Sequence, residues 1–73
     1  MTLEELNLND YVTIVNVSGD LTIKRRLLDL GFIPGEEVKC VLVSPFHDPK
    51  AYLVHGNVIA LRGVDAKNVE VVK

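Results

Sequence analysis

The sequence predicts a small all-β fold: a five-stranded antiparallel barrel with one α-helix between strands 1 and 2. Three observations carry that expectation. Five short runs rich in β-branched residues are separated by turn signals. Only one segment, after the first run, has helical periodicity. At 73 residues the chain is short for a sandwich, which takes about 100 residues, whereas a small barrel closes its own edges.

Each element has its own signal. Thr2-Leu3-Glu4-Glu5 has the form of a capping box, which predicts a helical turn with Leu3 and Leu6 against the body or, equally, a frayed terminus. Tyr11 to Val17 reads as a strand, ended by Ser18-Gly19-Asp20. Val12 and Ile14 share one parity and Val15 and Val17 the other, so either both faces are covered or a bulge switches the register. The helix is expected from Leu21 to Leu30, with Asp20 as N-cap and Ile23, Leu27 and Leu30 as the inner stripe, widened by Leu28. Gly31 suits a left-handed C′ position, with Phe32 packing back on Leu27 in a Schellman ending. Pro34-Gly35 predicts a type II turn.

The second strand is expected over Glu37 to Ser44, with Val38, Cys40 and Leu42 on one face. Its other face changes from polar (Glu37, Lys39) to apolar (Val41, Val43), which suits a strongly bent sheet. Pro45 to Lys50 is a loop. Ala51 to His55 and Val58 to Arg62 flank Gly56-Asn57, read as a two-residue type II′ hairpin turn. Gly63 to Asn68 predicts a tight turn or 3₁₀ piece. Val69 to Val72 closes the chain as a strand with Val69 and Val71 inward.

Composition sets the function classes. The chain reads as one domain over residues 1–73, and 48% apolar residues favour folding over disorder. The longest uncharged stretch, Ala51 to Leu61, is eleven residues, against about 20 for a membrane-spanning helix. No direct membrane insertion is expected. The acidic Met1-to-Leu6 segment is unlike a secretory signal, and one cysteine cannot make an intrachain disulfide, so the expected compartment is the cytoplasm. A net charge of −2 argues against nucleic acid as a partner.

At this point the string Arg26-Leu27-Leu28-Asp29-Leu30-Gly31-Phe32-Ile33-Pro34-Gly35 resembles the signature of the ferrous iron transport protein A (FeoA) family. Ser44-Pro45-Phe46-His47-Asp48-Pro49, Gly56, Ile59-Ala60-Leu61-Arg62, Ala66 and Val69 to Val71 agree with it. Asp10 and His47 stand where the family often has Gly, so the Pro45–Pro49 loop is bulkier here. The resemblance implies an SH3-like barrel with its helix between the first two strands. It implies a cytosolic accessory role beside FeoB, the membrane permease that carries a GTPase domain and imports ferrous iron, with recruitment to the inner face of the membrane. A related SH3-like module ends some iron-dependent repressors.

No catalytic set is legible, so neither an enzyme nor a cofactor is expected. The five glycines are dispersed at turns, and neither Ser18 nor Ser44 has a His–Asp arrangement the sequence can place. The metal-ligand candidates Cys40, His47, Asp48 and His55 lack the paired spacing of a structural site, so no metal site is expected. The candidate partner-binding residues are Lys24, Arg25, Arg26 and Leu27 on the helix, and Pro45 and Phe46 in the loop. Lys24-Arg25-Arg26 is the only basic cluster, either a solvated helix face or a steering patch for an acidic surface. Phe46 is either an exposed anchor or a cap on the open end of the barrel. Two other functions fit the same residues: an iron-binding chaperone or sensor using His47, Asp48 and His55, and an SH3-like adaptor unrelated to iron.

Overall fold

Valine-rich runs broken by glycine turns give five strands: β1 (Tyr11–Val17), β2 (Glu37–Val43), β3 (Lys50–Val54), β4 (Asn57–Leu61) and β5 (Val69–Val72). The computed structural model describes residues 1–73. The strands form one antiparallel sheet in the order β4-β3-β2-β1-β5. Helix α1 (Leu21–Asp29) lies between β1 and β2, and a single helical turn, α2 (Gly63–Ala66), precedes β5.

Two bulges explain the strands whose apolar phase was ambiguous. In β1 the pairing with β5 shifts between Ile14 and Asn16. Val12 and Ile14 point inward before the shift and Val17 after it, leaving Val15 exposed. In β2 the pairing with β3 shifts between Cys40 and Leu42. The extra residue, Val41, turns Leu42 out to solvent, 60% exposed, against the expectation that it shares the inner face of Val38 and Cys40.

Helix α1 begins where Asp20 caps it, its carboxylate accepting the Ile23 N–H at 2.9 Å. It ends in a full Schellman motif. The Phe32 N–H donates to the Leu27 carbonyl and the Gly31 N–H to that of Leu28, both at 3.0 Å. Leu27 and Phe32 are fully buried, but Leu30 has left the inner stripe and is exposed. Gly31 has φ +107° and a Cβ there would lie 3.5 Å from the His55 Cβ. Leaving the right-handed region costs a residue with a side chain about 1–2 kcal/mol, more for a β-branched one. Gly31→Val should therefore melt lower than wild type by at least ~5 °C, and Gly31→Asn by less, since each kcal/mol is worth about 4–8 °C at this size. Equal melting temperatures for all three proteins would remove the cap assignment.

Pro34-Gly35 makes the predicted type II turn, closed by Glu36 N–H to the Ile33 carbonyl at 2.9 Å, with Gly35 at φ +95°. The β3–β4 hairpin differs from expectation. Val54 pairs with Asn57, so the turn residues are His55 and Gly56, at φ +55° and +78°. Positive φ at both positions defines type I′, whose twist matches the strands, and His is among the residues that tolerate it. Asn57 is thereby the first residue of β4.

The N-terminus is part of the fold. A 3₁₀ turn (Leu3–Glu5) follows Thr2, whose backbone N–H donates to the Glu5 carboxylate. That hydrogen bond holds the Glu5 carboxyl below its usual range. On one side the segment adds to β5, with Val71 N–H donating to the Met1 carbonyl at 2.8 Å. On the other, the Lys50 ammonium donates to the Glu4 and Leu6 carbonyls at 2.6 and 2.7 Å. The Tyr52 hydroxyl donates to the Leu3 carbonyl at 3.2 Å. Strands β4 and β5 are the ends of the sheet, and this segment links β5 back to β3. Leu3 and Leu6 are fully buried in the same core as Val12, Ile14, Val69 and Val71. Phe32 and Tyr52 meet edge to face at its centre, centroids 6.4 Å apart.

Candidate functional site

The sequence-predicted residues fall on two surfaces joined by α2. On α1, Leu21, Arg25 and Asp29 form an exposed row and Lys24 is exposed beside it. Arg26 turns towards α2, its guanidinium 2.9 Å from the Asp65 carboxylate. Leu27 is a correction. It is fully buried and belongs to the core, because the inner stripe of a nine-residue helix must supply the contact with the sheet. It cannot touch a partner.

The second surface is the loop after β2. The His47 N–H donates to the Ser44 carbonyl at 2.8 Å, closing a turn with Pro45 and Phe46 at its tip. Phe46 is 91% exposed, which excludes the barrel-capping alternative. His47 sits at φ +64°, in the left-handed region, which accounts for a position where glycine would be at ease. Asp48 turns back and accepts the Gly63 N–H at 2.9 Å. Thus α2 is held by Asp48 at Gly63 and by Arg26 at Asp65, two residues apart. Val64, between them, is 61% exposed. Sequence reasoning passed over Val64 and Asp65. The available signal was an apolar β-branched residue in an otherwise polar turn.

Under the loop lies a cleft of about 160 Å³ lined by Glu4, His47, Asp48, Lys50 and Tyr52 among others. Lys50 is committed to the Glu4 and Leu6 carbonyls, and burial raises the Tyr52 phenol far above its usual range. The fold does not gather His47, Asp48 and His55. Five-residue β3, about 17 Å long at 3.4 Å per residue, separates the first two from the third. His55 lies instead beside Gly31, with Nδ1 3.3 Å from the Glu36 carboxylate. Cys40 is fully buried, and that burial pushes its thiol up, away from the reactive thiolate.

A five-stranded antiparallel sheet in the order β4-β3-β2-β1-β5, bent by two bulges and with its helix after β1, defines a small SH3-like domain. The model of the FeoA domain matches residues 1–73, and the chain belongs to the FeoA family. It is 35% identical over 71 residues to an Fe(2+) transport protein A/Fe(2+) transporter FeoB fusion protein of Porphyromonas gingivalis. That match covers 97% of this chain and 8% of the fusion protein. The zinc complex of FeoA from Stenotrophomonas maltophilia, described as a prokaryotic SH3 domain protein, superposes with a TM-score of 0.85 at 39% identity, covering 97% of this chain and 88% of that one. A manganese-dependent transcriptional repressor matches with a TM-score of 0.89 at 18% identity, over 99% of this chain and 35% of its own. At that identity the likeness is one of fold alone. The family is associated with ferrous iron transport and is not a known enzyme family.

Proposed function

We propose that this chain is a cytoplasmic accessory domain of ferrous iron uptake that works by contacting a FeoB-type permease on its cytosolic, GTPase-bearing side. The observation that carries the reading is the fusion relative, in which an FeoA-like segment and FeoB share one polypeptide. Tethering raises the effective concentration of two modules to the millimolar range, which favours a contact too weak to need a large interface. The contact face runs from α1 over α2 to the loop: Lys24 and Arg25, then Val64, then Pro45 and Phe46. Phe46 is the anchor, because a bare aromatic at a turn tip has little to lose and much area to bury. Lys24 and Arg25 steer an acidic partner and act on association rate.

The test titrates the permease's cytosolic domain with this protein and two variants. Phe46→Ala should weaken binding by tenfold or more, about 1.4 kcal/mol, with an unchanged melt. Lys24→Glu with Arg25→Glu should weaken it more at low salt than at high, because exposed charges are screened beyond about 8 Å at physiological ionic strength. Arg26 is left in place because reversing it would break the tie to Asp65. Folded variants that bind like wild type would move the contact to another face. Wild-type protein that does not bind would remove the partner.

A further inference from the structure

We propose that this chain pairs with a second copy of itself through the free edge of β4, extending the sheet across a two-fold axis. This inference concerns the chain alone and does not rest on the permease.

The two ends of the sheet are treated differently. The edge of β5 is occupied by Met1 and Thr2, and β5 itself carries Glu70. The edge of β4 has none of the devices by which exposed edges are blunted. Asn57-Val58-Ile59-Ala60-Leu61 contains no charge and no proline, and its register with β3 runs without a shift. No turn, loop or cap backbone hydrogen bond reaches these residues.

The turn fixes which groups are free. A two-residue turn makes Val54 and Asn57 a hydrogen-bonded pair, so Tyr52–Ile59 and Lys50–Leu61 follow as bonded pairs. Asn57, Ile59 and Leu61 spend their N–H and C=O groups on β3. Val58 and Ala60 aim theirs away from it.

Two outward-facing residues placed symmetrically about Ile59 are self-complementary. An antiparallel copy can set Val58 opposite Ala60 of the second copy and Ile59 opposite its own equivalent. That register makes four backbone hydrogen bonds and is isologous. The charges permit it, because Arg62 then falls opposite Gly56 and His55 opposite Gly63, so no like charges oppose. The outer faces also match. On one copy Leu53 and Val58 form an exposed apolar row, 38% and 66% exposed. In the paired register it meets the exposed Ala60 of the other copy, with the exposed Leu42 beyond the buried Ala51. Five-residue strands bury less than the roughly 1,200 Å² of a standard interface, so the pair should be weak and grow with concentration.

Sedimentation equilibrium and amide exchange across ~10 µM to ~1 mM, where weak pairing is read, test this. The expected result is a dimer that grows with concentration and slows exchange at Val58 and Ala60. Val58→Lys with Ala60→Lys, and Val58→Glu with Ala60→Glu, should each be monomeric, because the register puts like charges together. Mixing the two should restore a dimer. Ala60→Pro removes an outward N–H without touching the ladder to β3 and should also be monomeric, a charge-free check should the double variants not fold. A monomer at ~1 mM, the top of that range, or a dimer indifferent to these changes, would overturn the proposal. So would slowed exchange at Val58 and Ala60 appearing only when the permease's cytosolic domain is added, which would assign the edge to that partner.

Discussion

Phe32→Ala should leave the domain with little or no stability at room temperature. Phe32 is fully buried, stacks edge to face on Tyr52 and closes the Schellman motif against Leu27. Emptying such a site typically costs about 3–5 kcal/mol. A chain of this length has only about 4–11 kcal/mol in total, at 0.05–0.15 per residue. The loss of a single ring is therefore comparable to the whole. Urea unfolding should show a midpoint near zero denaturant, or a domain already open in buffer. A cost under about 1 kcal/mol would mean that Phe32 is not a central core residue.

Leu3→Ala should be the next most damaging, by about 2–5 kcal/mol. Leu3 is fully buried, its carbonyl accepts the Tyr52 hydroxyl, and its neighbours Glu4 and Leu6 hold Lys50. Collapse of the turn would release a phenol and an ammonium together. Leu8→Ala is the control. Leu8 is exposed, and surface changes usually stay within about 0.5 kcal/mol. Matching melts for the two variants would show the N-terminal segment to be an appendage.

The residues explain what could be read in advance. Asp20, Gly31 and Gly35 announced cap, C′ and turn because each is a local backbone requirement that few other residues meet. Strand positions were legible from valine density. The bulges were legible only as contradictions of phase in β1 and β2, since a bulge is set by pairing with a distant strand. The hairpin turn was displaced by one residue because a Gly-Asn pair fits one turn type and a His-Gly pair another, and strand register chose between them. Periodicity put Leu27 in the inner stripe, where it lies; naming it also as a partner contact fails because a residue spent on the core has no surface left to offer, and it is Leu30 that leaves the stripe. The bridge from Arg26 through α2 to Asp48 was invisible, as it joins residues far apart in the chain. The partner-binding role of Lys24, Arg25, Pro45 and Phe46 remains a proposal resting on exposure and on the fused relative.

The pairing of β1 with β5 bears on how the chain is made. Thr13 lies beside Val72, so the first strand meets the last. A polypeptide emerging from the ribosome at about 5–20 residues per second displays the outer edge of β1 for seconds before β5 exists to pair with it and to add Val69 and Val71 to the core. Barrels held by such distant contacts also close slowly, in milliseconds to seconds. The β1–β2–β3–β4 part of the sheet can form during that interval, whereas the outer edge of β1 must wait for β5. A nascent chain halted before Val69 should thus be a substrate for chaperones and proteases, and release of the last strand should convert it to the protected state in a single step.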